Sequence, residues 1–164
     1  VKTRMRFLGN IEARTDAKGR VFLPALFRKI LAASGVENIM LRQDIFENLL
    51  VIYPENVWNL LMDQMRNRLS RWDRKQQQAY RTFVSNVVCL TLDASGRILI
   101  PRNFLEATGI RQAVRFVGMG DTIEIWPNDD DSEKPLMDKK ELDYTLGNVM
   151  GEETKEADSC QNSK

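Results

Sequence analysis

The ten residues "TDAKGRVFLP" at Thr15–Pro24 are written again, little changed, as "LDASGRILIP" at Leu92–Pro101. A chain that repeats Asp-x-x-Gly-Arg, three apolar residues and a proline must fold that frame twice. The likeness continues past the frame. Phe27 stands at the third place after Pro24, and Phe104 at the third place after Pro101. Each proline opens a helical stretch, "PALFRKILAASG" or "PRNFLEATGI", because its missing N–H costs nothing in a first helical turn. Gly35 and Gly109 then supply the left-handed conformation that ends a helix. A strand pair follows in each half, "NIMLRQD" with "NLLVIYP" and "AVRFVGM" with "TIEIWP". Both pairs close on an aromatic residue and proline, Tyr53-Pro54 and Trp126-Pro127, which stand closer together in the chain than the two frames do. The shorter separation places a loss of about four residues in the second hairpin loop. The unit is strand–turn–strand–helix–strand–strand, in tandem.

Between the halves, "PENVWNLLMDQMRNRLSRWDRKQQQAYRTFVSN" reads as a helical hairpin. Trp58, Leu61, Met62, Met65, Leu69 and Trp72 fall at spacings of three and four, which gives one apolar stripe suited to core or subunit contact. Asp73 is placed to cap a second helix running to about Ser85, with Tyr80, Phe83 and Val84 on its inner face. Arg66, Arg68, Arg71 and Arg74 lie mainly on the other faces, where solvated charge is the ordinary condition. Toward the end, Leu142, Leu146, Val149 and Met150 are spaced for a C-terminal helix. From Gly151 onward the chain is polar, acidic and unpatterned, which predicts disorder.

Composition removes whole classes of chemistry. Histidine is absent, so Ser-His and Cys-His catalysis and most zinc sites are excluded. No carboxylate, lysine or cysteine constellation replaces them, and the reading is of a non-enzyme with no metal, cofactor or small-molecule ligand. Cys89, in the apolar run "VVCL", reads as a small buried hydrophobe, unpaired with Cys160 in the polar tail. No apolar run reaches the roughly 18 residues of a membrane span, and the N-terminal "VKTRMRFLGN" has no apolar segment of signal-peptide length. The expectation is a cytoplasmic protein. A net charge of +1 conceals an asymmetry. Residues 1–128 carry 19 Lys or Arg against 12 Asp or Glu, whereas residues 129–164 carry 5 against 11. A basic body with an acidic tail is compatible with a polyanionic partner.

The repeated loop has its own chemistry. Asp16 and Asp93 suit the first position of a type I turn, where the carboxylate accepts backbone N–H groups further on. Gly19 and Gly96 suit the left-handed position of a bulged hairpin. The turn does not require Arg20 or Arg97. Each arginine fits an ion pair back to its own aspartate, and equally a guanidinium held for a phosphate or a guanine edge. Lys18 and Arg14 add charge beside the first loop, while Ser95 replaces the lysine in the second.

With these motifs, "FLGNIEARTDAKGRVFLPALFRK" at 7–29 and "TLDASGRILIP" at 91–101, the chain resembles the MraZ family of bacterial transcriptional regulators, whose fold is of the SpoVT/AbrB type. The match runs from about Met5 to Pro127, and the family start implies Met5 as the native first residue, with Val1–Arg4 upstream of it. The resemblance implies an α+β fold of tandem AbrB-like β-barrel halves related by a pseudo-twofold internal repeat, with a central helical hairpin and a C-terminal helix. The expected boundaries are 5–54 and 86–128 for the two repeats, 55–85 for the insertion, 129–150 for the C-terminal helix region and 151–164 for a disordered acidic tail. It further implies a ring-shaped homo-oligomer, associated with the nucleoid. Such a ring would bind double-stranded DNA at direct repeats in its own promoter, ahead of the division and cell-wall genes, usually as a repressor. The DNA contacts carried over are Arg20 and Arg97, supported by Asp16, Gly19, Asp93 and Gly96, with Lys18 and Arg14 as added cations; with Ser95 in the second loop, that loop is expected to contribute less positive charge. A second class fits the same basic loops and apolar helices, namely a ring-forming protein-interaction scaffold without DNA binding.

Overall fold

Residues 6–128 and 136–161 are described by a computed structural model, with side chains through Gly151. They divide into two units, one ending at Asp130 and the other beginning at Asp131. The first unit runs β1 (Asn10–Arg14), β2 (Arg20–Phe22), α1 (Ala25–Ala33), β3 (Asn38–Gln43), β4 (Leu50–Pro54), α2 (Glu55–Arg68) and α3 (Arg74–Ser85). It continues through β5 (Val87–Thr91), β6 (Arg97–Leu99), α4 (Arg102–Thr108), β7 (Ala113–Gly118) and β8 (Ile123–Pro127). The second unit contains α5 (Lys139–Gln161). The class is α+β. Among the described residues no helix is long and apolar enough to cross a membrane.

A six-stranded antiparallel sheet has the order β1-β7-β8-β4-β3-β5, and β2 pairs with β6 in a separate two-stranded ribbon. The first strand of each half pairs in the other half. In β1, Asn10 lies opposite Val117 and Arg14 opposite Ala113; in β5, Val87 lies opposite Arg42 and Thr91 opposite Asn38. At the centre β4 pairs with β8, Leu50 opposite Ile125 and Ile52 opposite Ile123, so the ladders repeat about a pseudo-twofold axis. These pairings also relocate the shortening of the second half. Ala113 occupies the place of Asn38, and Ile123 the place of Leu50, so the offset between the halves has already narrowed before the hairpin begins. Half of the loss falls across the helix and its connection and only half in the hairpin, where all of it was expected.

The core lies between the sheet, the ribbon and the two short helices. Phe7, Val21, Leu23, Phe27, Leu31 and Leu41 meet Ile98, Ile100, Phe104, Val114, Phe116 and Ile125 in one buried cluster. Burying a Val, Leu, Ile or Phe side chain contributes about 1.5–3 kcal/mol, and the prolines before α1 and α4 aim Phe27 and Phe104 into this cluster. The Phe7 ring meets Phe27 edge to face at 5.5 Å.

Elsewhere, Asp73 caps α3 by accepting from the Gln76 backbone N–H at 2.9 Å, as its position in the sequence predicts. Trp58 is buried and stacks on Phe83 at 5.7 Å, with Tyr53 edge-on to Trp58 at 5.2 Å, and this anchors the helical hairpin to the outer side of the sheet. Arg42 closes the stack with its guanidinium 3.9 Å from the Phe83 ring centroid, and burial lowers its pKa. Trp72 does not belong to the apolar stripe. Helix α2 ends at Arg68, Leu69 turns extended, and Trp72 is 97% exposed. Cys89 is exposed rather than buried, because β5 is an edge strand whose alternation turns Val88 and Leu90 to the core and Cys89 away. The Cys160 side chain lies outside the described residues. Helix α5 continues through Gly151 to Gln161, where the sequence pattern predicts disorder. The segment lacks an apolar stripe, but its Glu, Lys and Ala residues are good helix formers.

Each loop glycine meets the other half of the chain. Gly19 O accepts from Ile100 N at 2.9 Å, and Gly96 O accepts from Leu23 N at 3.1 Å. Gly19 has φ +86°, and a Cβ there would come within 2.8 Å of the Ile100 carbonyl oxygen. Gly35 also has positive φ but faces open space. The left-handed conformation alone costs a non-glycine residue about 1–2 kcal/mol. Gly19→Ala should therefore lower the unfolding free energy by about 3 kcal/mol, and Gly35→Ala by about 1 kcal/mol, as read by urea denaturation. Equal costs would contradict the crossed-loop arrangement.

Candidate nucleic-acid interface

The first repeated loop is closed around one carboxylate. Asp16 Oδ1 accepts from the backbone N–H groups of Lys18 and Arg20, both at 2.9 Å, and Oδ2 accepts from Arg20 Nε at 2.7 Å. The Asp16 N–H donates to Arg20 O at 2.8 Å, and the Gly19 N–H donates to Asp16 O at 3.1 Å. The second loop repeats this set. Asp93 Oδ1 accepts from Ser95 and Arg97 N–H groups, both at 2.9 Å, and Oδ2 accepts from Arg97 Nε at 2.9 Å. The backbone N–H of Arg20, and in the second loop that of Arg97, is the largest influence holding each carboxyl below the usual aspartate range. Partial desolvation opposes it, and the arginine side-chain bonds reinforce it.

The arginines thus make the pairs that loop chemistry predicts, but each uses only one side of its guanidinium. At solvent-exposed positions such a pair is worth about 0–1 kcal/mol, so its main effect is orientation. With Nε bound to the aspartate, the Nη ends of Arg20 and Arg97 have no hydrogen-bond partner among the described residues. Both arginines lie on the ribbon, Arg20 opposite Leu99 and Arg97 opposite Phe22. Val21 and Ile98 between them point into the core, so the two guanidiniums belong to the outward face.

The two loops differ in how they acquire further charge. Lys18 is exposed at the tip of the first loop, and beside that loop runs an open groove of about 640 Å³ lined in part by Lys18, Arg102 and Arg111. Arg14 is exposed at the end of β1, next to Thr15, whose N–H donates to Gln112 O at 2.8 Å. The second loop has Ser95 in place of lysine, yet a cation from α1 stands against it. Arg28 Nη1 donates to Ser95 O at 3.3 Å, and a Cβ added to Gly96 would collide with the Arg28 side chain. The equivalent of Arg28 in the second half is Leu105, whose Cδ1 lies 3.1 Å from where a Gly19 Cβ would be. The second loop therefore gains a cation, Arg28, that Ser95 in place of lysine does not reveal. Lysine and leucine at one loop are exchanged for serine and arginine at the other. The signal was present in the sequence, since Arg28 and Leu105 hold the same place after Pro24 and Pro101, but only the crossing of the halves gives it meaning. Among the described residues no group of three His, Cys, Asp or Glu side chains could hold a metal ion.

Comparison with known proteins agrees in extent with this repeat. The family model for the MraZ protein, described as antitoxin-like, matches twice, over residues 6–82 and 83–131. The transcriptional regulator MraZ of Phocaeicola vulgatus is 50% identical over 147 residues, covering 90% of this chain and 95% of that protein. The protein of the same name from Bacteroides fragilis is 47% identical, covering 91% and 94%. That of Flavobacterium psychrophilum is 31% identical, covering 89% and 95%.

The loop carboxylates lead to a pH prediction. A native aspartate held below its unfolded value stabilises the fold above pH about 4, and the contribution is lost as pH falls through the lowered native value. Carbon-13 NMR titration should place the Asp16 and Asp93 midpoints below the ordinary 3.8. Midpoints at or above it would show that the loop bonds do not persist in solution.

Proposed function

The chain belongs to the MraZ family, and from that premise we propose that it is a sequence-specific DNA-binding transcriptional regulator. Its targets in this reading are direct repeats in its own promoter, ahead of the division and cell-wall genes, and its effect there is repression. The observation that carries the reading is the outward pairing of Arg20 and Arg97 on one ribbon, each with its Nη ends unengaged among the described residues. Arg20 and Arg97 take the base or phosphate contacts, while Lys18 and Arg14 supply phosphate contacts around the first loop. Asp16, Gly19, Asp93 and Gly96 keep the loops in shape. The protein works in the cytoplasm on the nucleoid, without metal, cofactor or small-molecule ligand.

Tandem AbrB-like barrel halves and a ring of subunits complete the proposal, for a physical reason. One ribbon with a few cations supplies little affinity by itself. Several ribbons on one rim, engaging successive repeats, multiply weak contacts through effective concentration. The alternative, a ring-forming scaffold whose basic loops hold an acidic protein, requires the same charge but no promoter.

Promoter binding by Arg20→Ala and Arg97→Ala separates the two. Each substitution should weaken binding at least tenfold, in the range of a bidentate arginine–base contact, and parent affinity should fall steeply with salt as phosphate contacts are screened. Parent-like binding by both variants would rule out the loop assignment.

A further inference from the structure

We propose that Phe22 and Leu99 read thymine methyl groups in the major groove of the bound DNA, between the two loop arginines. The proposal deepens the DNA-binding reading and rests on it. It comes from the register of the ribbon, in which Arg20 faces Leu99, Val21 faces Ile98 and Phe22 faces Arg97. Successive strand residues point to opposite faces. Val21 and Ile98, each 1% exposed, enter the core, so the other four side chains share the outward face. Phe22 is 55% exposed and Leu99 is 53% exposed.

A single exposed apolar side chain needs no explanation. Here the two are equivalents, each at the second place after the arginine of its half, and the pseudo-twofold axis brings them onto one small surface. That surface alternates cation and apolar group in both directions. Arg97 stands 5.7 Å from the Phe22 ring centroid, which keeps the ring beside the guanidinium.

The occupant follows from this mixture. Two outward guanidiniums without a partner at their Nη ends among the described residues favour a polyanion over a second apolar protein surface. A two-stranded ribbon fits the major groove, where guanine offers arginine two acceptors and thymine offers the one methyl group. Diagonal neighbours on such a ribbon lie about 7–8 Å apart, close to two base steps of about 3.4 Å. Arginine, apolar pair and arginine can therefore meet neighbouring bases without bending the ribbon.

Replacing single thymines of the promoter duplex by deoxyuridine tests this, because it removes one methyl and leaves every hydrogen-bonding group in place. Parent protein should bind about fourfold more weakly at one or two positions per repeat, the value for burying one such carbon. In Phe22→Ala or Leu99→Ala that penalty should vanish at the matching position. A flat uracil scan, with Arg97→Ala still weakening binding, would overturn this inference and leave the DNA-binding reading intact. An unchanged penalty in both alanine variants would overturn it as well. Failure of the parent to bind promoter DNA would overturn both. The scan is made on the parent, so it decides even where an alanine variant fails to fold.

Discussion

Two backbone hydrogen bonds, from Ile100 N to Gly19 O and from Leu23 N to Gly96 O, tie each repeated loop to the strand end of the opposite half. They run alongside the ribbon of β2 and β6, and both glycines have φ +86°, with a Cβ at Gly19 also meeting the Ile100 carbonyl. The exchange continues in the large sheet, where β1 joins β7 and β5 joins β3. Each half therefore has its edge completed by the other. What looks in sequence like two small domains is one interlocked body, and the crossing brings the two loop arginines onto a single ribbon.

Within that body the aspartate–arginine pairs contribute little to stability. Their effect is positional. Asp16 and Asp93 gather backbone N–H groups and one side of the guanidinium, which leaves the Nη ends without a hydrogen-bond partner among the described residues. A long, flexible side chain normally loses rotamer entropy when it binds a ligand. Here part of that loss is already taken in the folded protein, at two symmetry-related positions. Arg28, reaching from α1 to Ser95, provides the second loop with the charge that Lys18 provides at the first.

Much of this was legible in the sequence because repetition is a local signal. The doubled frame, the prolines before α1 and α4, and the cap at Asp73 depend on near neighbours in the chain, and the structure has them as expected. Pairings across the chain were not legible. No local feature of β1 says that it will join β7, and without that exchange the bearing of Arg28 on the second loop is invisible. The errors have the same origin. Cys89 lies in an apolar run, but its exposure is decided by β5 being an edge strand with a fixed register. Trp72 continues a three-and-four spacing past the point where the backbone leaves the helix at Leu69. The outward turn of Phe22 and Leu99 has no local signal either, since it follows from the alternation of a two-stranded ribbon.

The central claim is that one outward ribbon face, carrying Arg20 and Arg97, meets the DNA. A structure of the protein bound to its promoter duplex tests it most directly. The account predicts both guanidiniums within hydrogen-bond distance of base edges or phosphates at the same groove, with the Asp16 and Asp93 bonds to Nε still in place. DNA held on another surface, with the ribbon face packed against a neighbouring subunit, would contradict it.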